Sequence, residues 1–198
     1  KIEVCNSNNC NCKRMSYFNE TKLSGTTDIS DISIFKNVHI LILKNCNSKY
    51  RSKGLLAKYP IIDISPLRNL YKLTLKNCIY ITDVSPLKDI TILNIIGCPK
   101  IMDVSALCNV HRLSIEESYI TDVSSLGNVT FLMFHICINL EDVSALGNVF
   151  CLTLSCCPCI KDVSTLGNVY DLYIDNCYNI KDVSKLNTVK YLTLYNCN

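Results

Sequence analysis

Three residue types in this sequence have side chains that could carry chemistry: cysteine, aspartate and histidine. Fourteen cysteines among 198 residues are typical of a disulfide-bonded secreted protein or of a metal-binding one. Eight regularly placed aspartates could form a series of calcium sites, and three histidines could include a catalytic base. The spacing of each set decides between these chemistries and a structural role.

Seven cysteines recur once in each copy of a repeated unit, and we call them the cysteine ladder. They are Cys46, Cys78, Cys98, Cys137, Cys157, Cys177 and Cys197, with Ser118 in the remaining copy. A linear series of single thiols offers no convergent ligand set for a metal, and parallel Cβ directions in stacked copies disfavour disulfides. We therefore predict buried, reduced thiols that donate weakly to backbone carbonyls, with no metal and no cofactor, in a reducing compartment.

Each of the eight aspartates begins an Asp-(Val/Ile)-Ser tripeptide. A calcium ion needs about six to eight oxygen ligands, whereas one unit supplies a single carboxylate. We therefore expect each aspartate to accept a hydrogen bond from the backbone N–H two residues further on and so to hold a bend. The histidines His39, His111 and His135 have no serine or cysteine at a shared place in the repeat, so we predict no catalytic residue and no enzyme.

The tripeptide measures the repeat that must position these residues. Its aspartates are Asp31, Asp63, Asp83, Asp103, Asp122, Asp142, Asp162 and Asp182, which are 19 or 20 residues apart except for a first interval of 32. The residue ten after each aspartate is leucine, and the residue two further on is a large apolar one. This Leu-x-Leu alternation predicts a short, half-buried strand.

A single turn of 3₁₀ helix is predicted after each bend. Serine is a favoured N-cap residue, and proline follows it in two copies, at Pro66 and Pro86, where a missing N–H leaves no helical hydrogen bond unmade. Gly-Asn pairs at 127–128, 147–148 and 167–168 come only a few residues later and favour a left-handed exit from the turn.

One such unit cannot fold alone. One unit has about seven inward apolar side chains, and burying each contributes about 1.5–3 kcal/mol. Ordering the roughly 20 residues of the unit costs about 1–2 kcal/mol each, which is more in total. Stacked units supply the missing contacts and give an α/β right-handed solenoid, with a parallel sheet on the concave face and helical turns on the convex side. We predict a flank over 1–28, eight repeats over 29–198, and an insertion at about 47–60 that is either a functional loop or a solvated one.

The motifs resemble known leucine-rich repeats. The Leu-x-Leu-x-x-Cys and Ile-Thr-Asp motifs between Leu73 and Asp83 are similar to the cysteine-containing repeats joined to F-box domains. The Asp-Ile-Ser-Pro-Leu segment from Asp63 resembles the internalin and phosphatase-regulator type, and the Asp-Val-Ser-x-Leu-Gly-Asn-Val units resemble repeats of giant viruses and amoebae. The resemblance implies the leucine-rich-repeat fold and no single task, because these families share a scaffold only.

Three cysteines precede the repeats, at Cys5, Cys10 and Cys12. They resemble the disulfide-bonded N-terminal caps of extracellular leucine-rich repeats, but the next cysteine is as distant as Cys46. An incidental flank and a zinc site are the alternatives.

The strand alternation assigns the residues that point away from the core. Framework positions barely differ between copies, whereas these outward positions vary freely, either because exposed residues drift or because they bind a partner. The predicted contact residues are Lys72, Lys76, Arg112, Glu116, Phe131, Met133, His135, Asp171, Tyr173, Asp175, Tyr191 and Tyr195. Because aromatic residues are typical of binding hot spots, we predict the main contact over 131–195, with Asp171 and Asp175 selecting a basic partner.

The composition of the whole chain limits the partner. A net charge of +3 does not favour nucleic acid, and no apolar run approaches the length of a membrane span. We expect a monomeric cytoplasmic fragment without a signal peptide, with further repeats after Asn198, that binds a protein partner through the sheet. The alternatives are the substrate-recognition part of an F-box ubiquitin-ligase adaptor and an extracellular surface-attachment repeat of internalin type.

Overall fold

The computed structural model describes residues 2–3, 20–24, 32–45 and 61–197, the first two ranges as backbone only. Within these residues, ten strands form one parallel sheet in chain order. Six features for which the sequence analysis makes predictions lie outside the described residues: Asp31, Cys5, Cys10, Cys12, Cys46 and the insertion over 47–60.

Every strand from the second onward has five residues. The strands are β1 Ile2–Glu3, β2 Glu20–Ser24, β3 Ile40–Lys44, β4 Lys72–Lys76, β5 Ile92–Ile96, β6 Arg112–Glu116, β7 Phe131–His135, β8 Cys151–Ser155, β9 Asp171–Asp175 and β10 Tyr191–Tyr195. The 3₁₀ turns are Ile32–Phe35, Ser65–Leu67, Ser85–Leu87, Ser105–Asn109, Ser124–Asn128, Ser144–Asn148, Ser164–Asn168 and Ser184–Leu186. The predicted solenoid of strand, bend and single helical turn is confirmed.

The strands pair so that equivalent positions of successive coils lie side by side. Leu73 pairs with Leu93, and Leu152 with Leu172. The inward leucines therefore form columns, and Leu73 is fully buried while Leu192, in the last described coil, is 39% exposed. A neighbouring coil on each side is what completes the burial of a coil's core.

The sheet extends into the predicted N-terminal flank. β1 and β2 lie before residue 28, and β2 pairs with β3 in the register used by the rest of the sheet, Thr21 opposite Leu41. These two strands of the flank therefore continue the parallel sheet.

The aspartates hold the bends, as predicted. The backbone N–H of each serine donates to the carboxylate two residues earlier at 2.8–2.9 Å. The seven described pairs are Asp63–Ser65, Asp83–Ser85, Asp103–Ser105, Asp122–Ser124, Asp142–Ser144, Asp162–Ser164 and Asp182–Ser184. The prediction of serine as the N-cap is wrong, because serine is the first residue of the turn and the cap position is taken by the preceding Val or Ile, as at Val84, with no side-chain cap bond. The carboxylate of Asp83, one residue before the cap position, accepts instead from the N–H of Ser85, the first residue of the turn.

The predicted left-handed exit at the Gly-Asn pairs is also wrong. A Cβ on Gly147 would lie 2.5 Å from the carbonyl oxygen of Thr165 in the next coil, so glycine there allows close stacking. The left-handed residue instead comes directly after each strand from β3 to β10, as at Asn77 with φ 53°. Its N–H donates a hydrogen bond to the carbonyl oxygen of Ile96 in the next coil, at 2.8 Å. Ile136 adopts this conformation with φ 54° although a β-branched residue disfavours it, so the stacking determines the backbone there.

The ladder cysteines from Cys78 to Cys177 are buried thiols bonded to backbone carbonyls, as predicted, whereas Cys197 in the last described coil is half-buried. Cys157 Sγ lies 3.9 Å from the carbonyl oxygen of Phe134 and 3.3 Å from that of Ser155, and Cys177 Sγ makes the equivalent contacts. The hydrogen bond with Cys137, together with burial, raises the pKa of Cys157 to about 12. A thiol held protonated in this way is neither a nucleophile nor a metal ligand at neutral pH.

We expect Gly147→Ala to lower the free energy of unfolding by about 1–3 kcal/mol, because its Cβ overpacks against the Thr165 carbonyl. Ala145→Ser, on the exposed side of the same turn, is the control and should change it by about 0.5 kcal/mol or less. Urea denaturation measures both, and a more stable Gly147→Ala variant contradicts the close-stacking role.

The bends should make the fold sensitive to acid. The hydrogen bonds from the Ser144 hydroxyl and then its backbone N–H lower the pKa of Asp142, and the same holds for five further bends. Because the folded pKa lies below the unfolded value of about 3.9, the stabilisation is complete above that value and is lost as the pH falls through the folded pKa. The triple variant Asp122→Asn, Asp142→Asn, Asp162→Asn keeps the acceptor oxygen but not the titration. Its urea midpoint should fall less steeply below about pH 4 than that of the wild type; equal slopes would contradict this account.

The neighbours Cys156 and Cys157 provide an internal test of the ladder. Cys156 is half-buried and Cys157 is fully buried. In the folded protein a thiol reagent should label Cys156 and leave Cys157 unmodified, and in denaturant it should label both. Mass spectrometry of the shared peptide gives the ratio, and equal labelling rates under native conditions would show that the ladder is open to solvent.

Candidate binding face of the sheet

The outward side chains of the strands lie on one face, which we call the sheet face. Along β7 the burial alternates, with Leu132 and Phe134 buried and the residues on either side of them half-exposed. The strand register places the twelve predicted contact residues on this face. The placement is observed, whereas contact with a partner stays a prediction.

The C-terminal end of the sheet face is aromatic and acidic. Tyr173 is 37% exposed, Tyr191 55% and Tyr195 60%. Asp171 and Asp175 flank Tyr173 on β9. The exposed tyrosine rings can bury apolar area against a partner, and the two carboxylates beside Tyr173 can pair with its cations.

The two carboxylates on β9 have few donors around them. The Ser155 hydroxyl donates to Asp175 Oδ2 at 3.1 Å, and the Cys151 thiol lies 3.9 Å from Asp171 Oδ2. Asp175 Oδ1 is shielded from solvent and has no hydrogen-bond partner among the described residues. A carboxylate with one neutral hydroxyl donor keeps most of its charge uncompensated.

The basic part of the sheet face lies on β3 and β4, the first strands whose side chains are described. Lys72 and Lys76 lie at the two ends of β4, and Lys44 on β3 is the direct cross-strand neighbour of Lys76. Between the β4 lysines, Thr74 is buried under the Asn94 amide, which donates to its hydroxyl at 3.1 Å.

The centre of the sheet face combines one charge of each sign with apolar side chains. The Arg112 guanidinium lies 4.3 Å from the ring centroid of Phe131, a cation–π contact. Glu116, at the other end of β6, accepts a hydrogen bond from the Ser114 hydroxyl at 3.1 Å. Met133 and His135 follow on β7 and are half-buried.

A row of aromatic rings along the edge of the sheet face escaped the sequence analysis. We call it the aromatic rim; it consists of His111, Phe131, Phe150, Tyr170 and Tyr191. Successive ring centroids are 4.6–6.1 Å apart, with Phe150 and Tyr170 stacked and the other pairs edge-to-face. Three of its members stand one residue before a strand, a position outside the Leu-x-Leu alternation that was used to assign exposed residues. The sequence did contain a signal for the aromatic rim, because the position just before the strand holds an aromatic or histidine residue in five of eight copies.

A cavity of the described surface lies outside the sheet face. It has a volume of about 260 Å³ and lies beside the bends, lined by Asp142, Asp162 and Cys159 among others, but its aspartates already hold the bends. Among the described residues, no group of three or more His, Cys, Asp and Glu side chains is placed to hold a metal ion. The helices in the described ranges are single 3₁₀ turns, and none could cross a membrane.

Comparison with known proteins supports the fold. No protein-family model and no curated protein sequence matches the chain. The structure is similar to an internalin (inlF) from Listeria monocytogenes, with a TM-score of 0.60 and 24% identity over 84% of this chain and 51% of that one. It is also similar to internalin C2 (inlC2) from the same bacterium, with a TM-score of 0.60 and 22% identity over 89% of this chain and 80% of that one. The chain thus spans about half the length of the first internalin, and its fold is that of an internalin-like leucine-rich repeat.

Proposed function

We propose that the chain is a protein-interaction scaffold that binds a protein partner through the sheet face over β7–β10. The observation that carries the proposal is the exposure of Tyr173 on β9, a strand paired on both sides, with Tyr191 and Tyr195 beside it on β10, the last described strand. Tyrosine brings large contact area with little rotamer entropy to lose, so exposed tyrosines on a rigid support are suited to binding.

The acidic side chains beside these tyrosines define the partner further. Asp171 and Asp175 lie on the same strand as Tyr173. We infer that they select a basic region of the partner, since like charges brought against them cost free energy.

A binding role agrees with the structural roles of the aspartates and cysteines. The aspartates hold bends and the described ladder cysteines donate to backbone carbonyls, so both sets are occupied by the fold. We therefore propose a monomeric binding protein with no catalytic activity and no cofactor, whose partner is neither nucleic acid nor membrane.

We also propose a reducing compartment, the cytoplasm, on the ground that the ladder thiols of Cys98, Cys137, Cys157 and Cys177 are buried and donate to backbone carbonyls. This compartment suits the recognition part of an F-box adaptor, and the alternative proposal is a surface-attachment repeat outside the cell. Thiol titration in denaturant, on protein taken from its native cells, separates the two. Fourteen free thiols, the full cysteine count, support the cytoplasmic form, and a markedly lower number supports the extracellular one.

The double variant Tyr173→Ala, Tyr191→Ala should lose partner capture, because truncating two hot-spot residues costs about 2 kcal/mol or more each. The matched control is Tyr119→Ala, Tyr178→Ala, which removes two tyrosines that are 46% and 50% exposed outside the strands. Capture is measured by crosslinking and mass spectrometry, with circular dichroism to verify folding. A folded double variant that captures the same partner as the wild type would rule out the sheet face over β7–β10.

A further inference from the structure

The charges of the sheet face are sorted by position along the solenoid. Over β3–β10, the strands whose side chains are described, the cations at the N-terminal end are Lys44, Lys72 and Lys76, on β3 and β4. The anions at the C-terminal end are Asp171 and Asp175, both on β9. The face therefore has a positive end and a negative end.

The charges at both ends are uncompensated by the rest of the described chain. Lys44 and Lys76 are direct cross-strand neighbours, a pairing of like charges that destabilises a sheet. None of the five charged side chains forms an ion pair with another described residue. Asp175 has the Ser155 hydroxyl as its donor and an Oδ1 without one. Opposite charges from outside the chain would relieve both ends.

The strands between the two ends add no net charge to the face. β6 carries Arg112 and Glu116, which cancel, and β8 carries Cys151, Thr153 and Ser155. β5 and β7 contribute mainly apolar side chains, Ile92, Ile96, Phe131 and Met133. Lys190 is a cation near the negative end, but it precedes β10 and lies outside the strand. The middle of the face is thus suited to an apolar stretch.

The separation of the two ends sets the length of a matching segment. β4 and β9 are five strands apart in the sheet order, which is about 24 Å at a strand spacing of about 4.8 Å. An extended chain advances about 3.3 Å per residue, so about seven residues cover this distance.

We propose that the sheet face binds an extended segment of the partner protein whose acidic end lies over β4 and whose basic end lies over β9, about seven residues apart, with apolar residues between. This inference rests on the proposed function and deepens it, because it adds an acidic contact at β4 and fixes the direction in which the segment lies. Charge order, and not total charge, is what the face recognises.

The probe is a nine-residue peptide with two glutamates, five apolar residues and two arginines. The control peptide has the same composition with one glutamate and one arginine at each end, so that neither end carries net charge. Each is titrated into the isotope-labelled chain at low salt and followed by the amide NMR signals of β4–β9. The ordered peptide should bind about tenfold more tightly than the control, and the difference should shrink as salt is added.

Direction is read with a spin label on the glutamate end of the ordered peptide. In the wild type it should broaden the amide signals of β4 and β5 and leave those of β9 sharp. Lys72→Glu, Lys76→Glu should weaken binding to the level of the control peptide. Adding Lys44→Glu, Asp171→Lys and Asp175→Lys to that variant reverses all five charges of the two ends, so binding should return and the broadening should move to β9.

Two results would overturn the inference, and they differ in what they say about the proposed function. If both peptides perturb the sheet-face signals equally, or if the label stays over β4 in the fully reversed variant, charge order plays no part, although the sheet face still binds. If neither peptide perturbs any signal of β4–β9, the inference fails together with the sheet face as a peptide-binding surface. Circular dichroism of each variant separates these results from a loss of folding.

Discussion

The structure depends on the in-register stacking of coils, each of which lacks a core of its own. Leu93 is fully buried because Leu73 and Leu113 lie beside it at the same position of the neighbouring strands. The inward side chains of one coil are therefore buried by its two neighbours. Leu192 and Leu194 are each 39% exposed because they lie in the last described coil. This is nearest-neighbour stability, in which each interface contributes separately and no central core exists.

Stacking also explains where the most reactive residue types lie. A bend that recurs in every coil needs an acceptor for the serine N–H, and a carboxylate such as Asp142 supplies it. The column between successive strands has room for a small side chain with a weak donor, and Cys137 and Cys157 fill it beneath the carbonyls of Ile115 and Phe134. In a domain with one closed core, cysteines and aspartates repeated every 20 residues would suggest a series of binding sites. In a solenoid the same repetition identifies the residues of the structural framework.

The sequence was sufficient for the repeat, the strand positions and the direction of each strand residue, because these follow from the period-2 alternation around leucines such as Leu132. It was not sufficient for contacts between coils. The close approach of Gly147 to the Thr165 carbonyl and the left-handed conformation of Ile136 arise only when one coil lies on the next. The aromatic rim was missed for a related reason: Phe150 and Tyr170 stack across coils from a position that the alternation within a strand does not reach.

A sheet whose backbone is set by its neighbours on both sides gives the face side chains a fixed spacing, and this has a consequence for recognition. A partner segment pays for its own ordering but meets a surface that needs no rearrangement, so affinity depends on matching positions and not on adaptation. On such a surface the repulsion between Lys44 and Lys76 can persist without distorting the strands, because the leucines beneath them, Leu43 and Leu75, keep the register. Framework and face are thus separable: stacking fixes where each side chain lies, and the face residues alone determine which charges a partner must present.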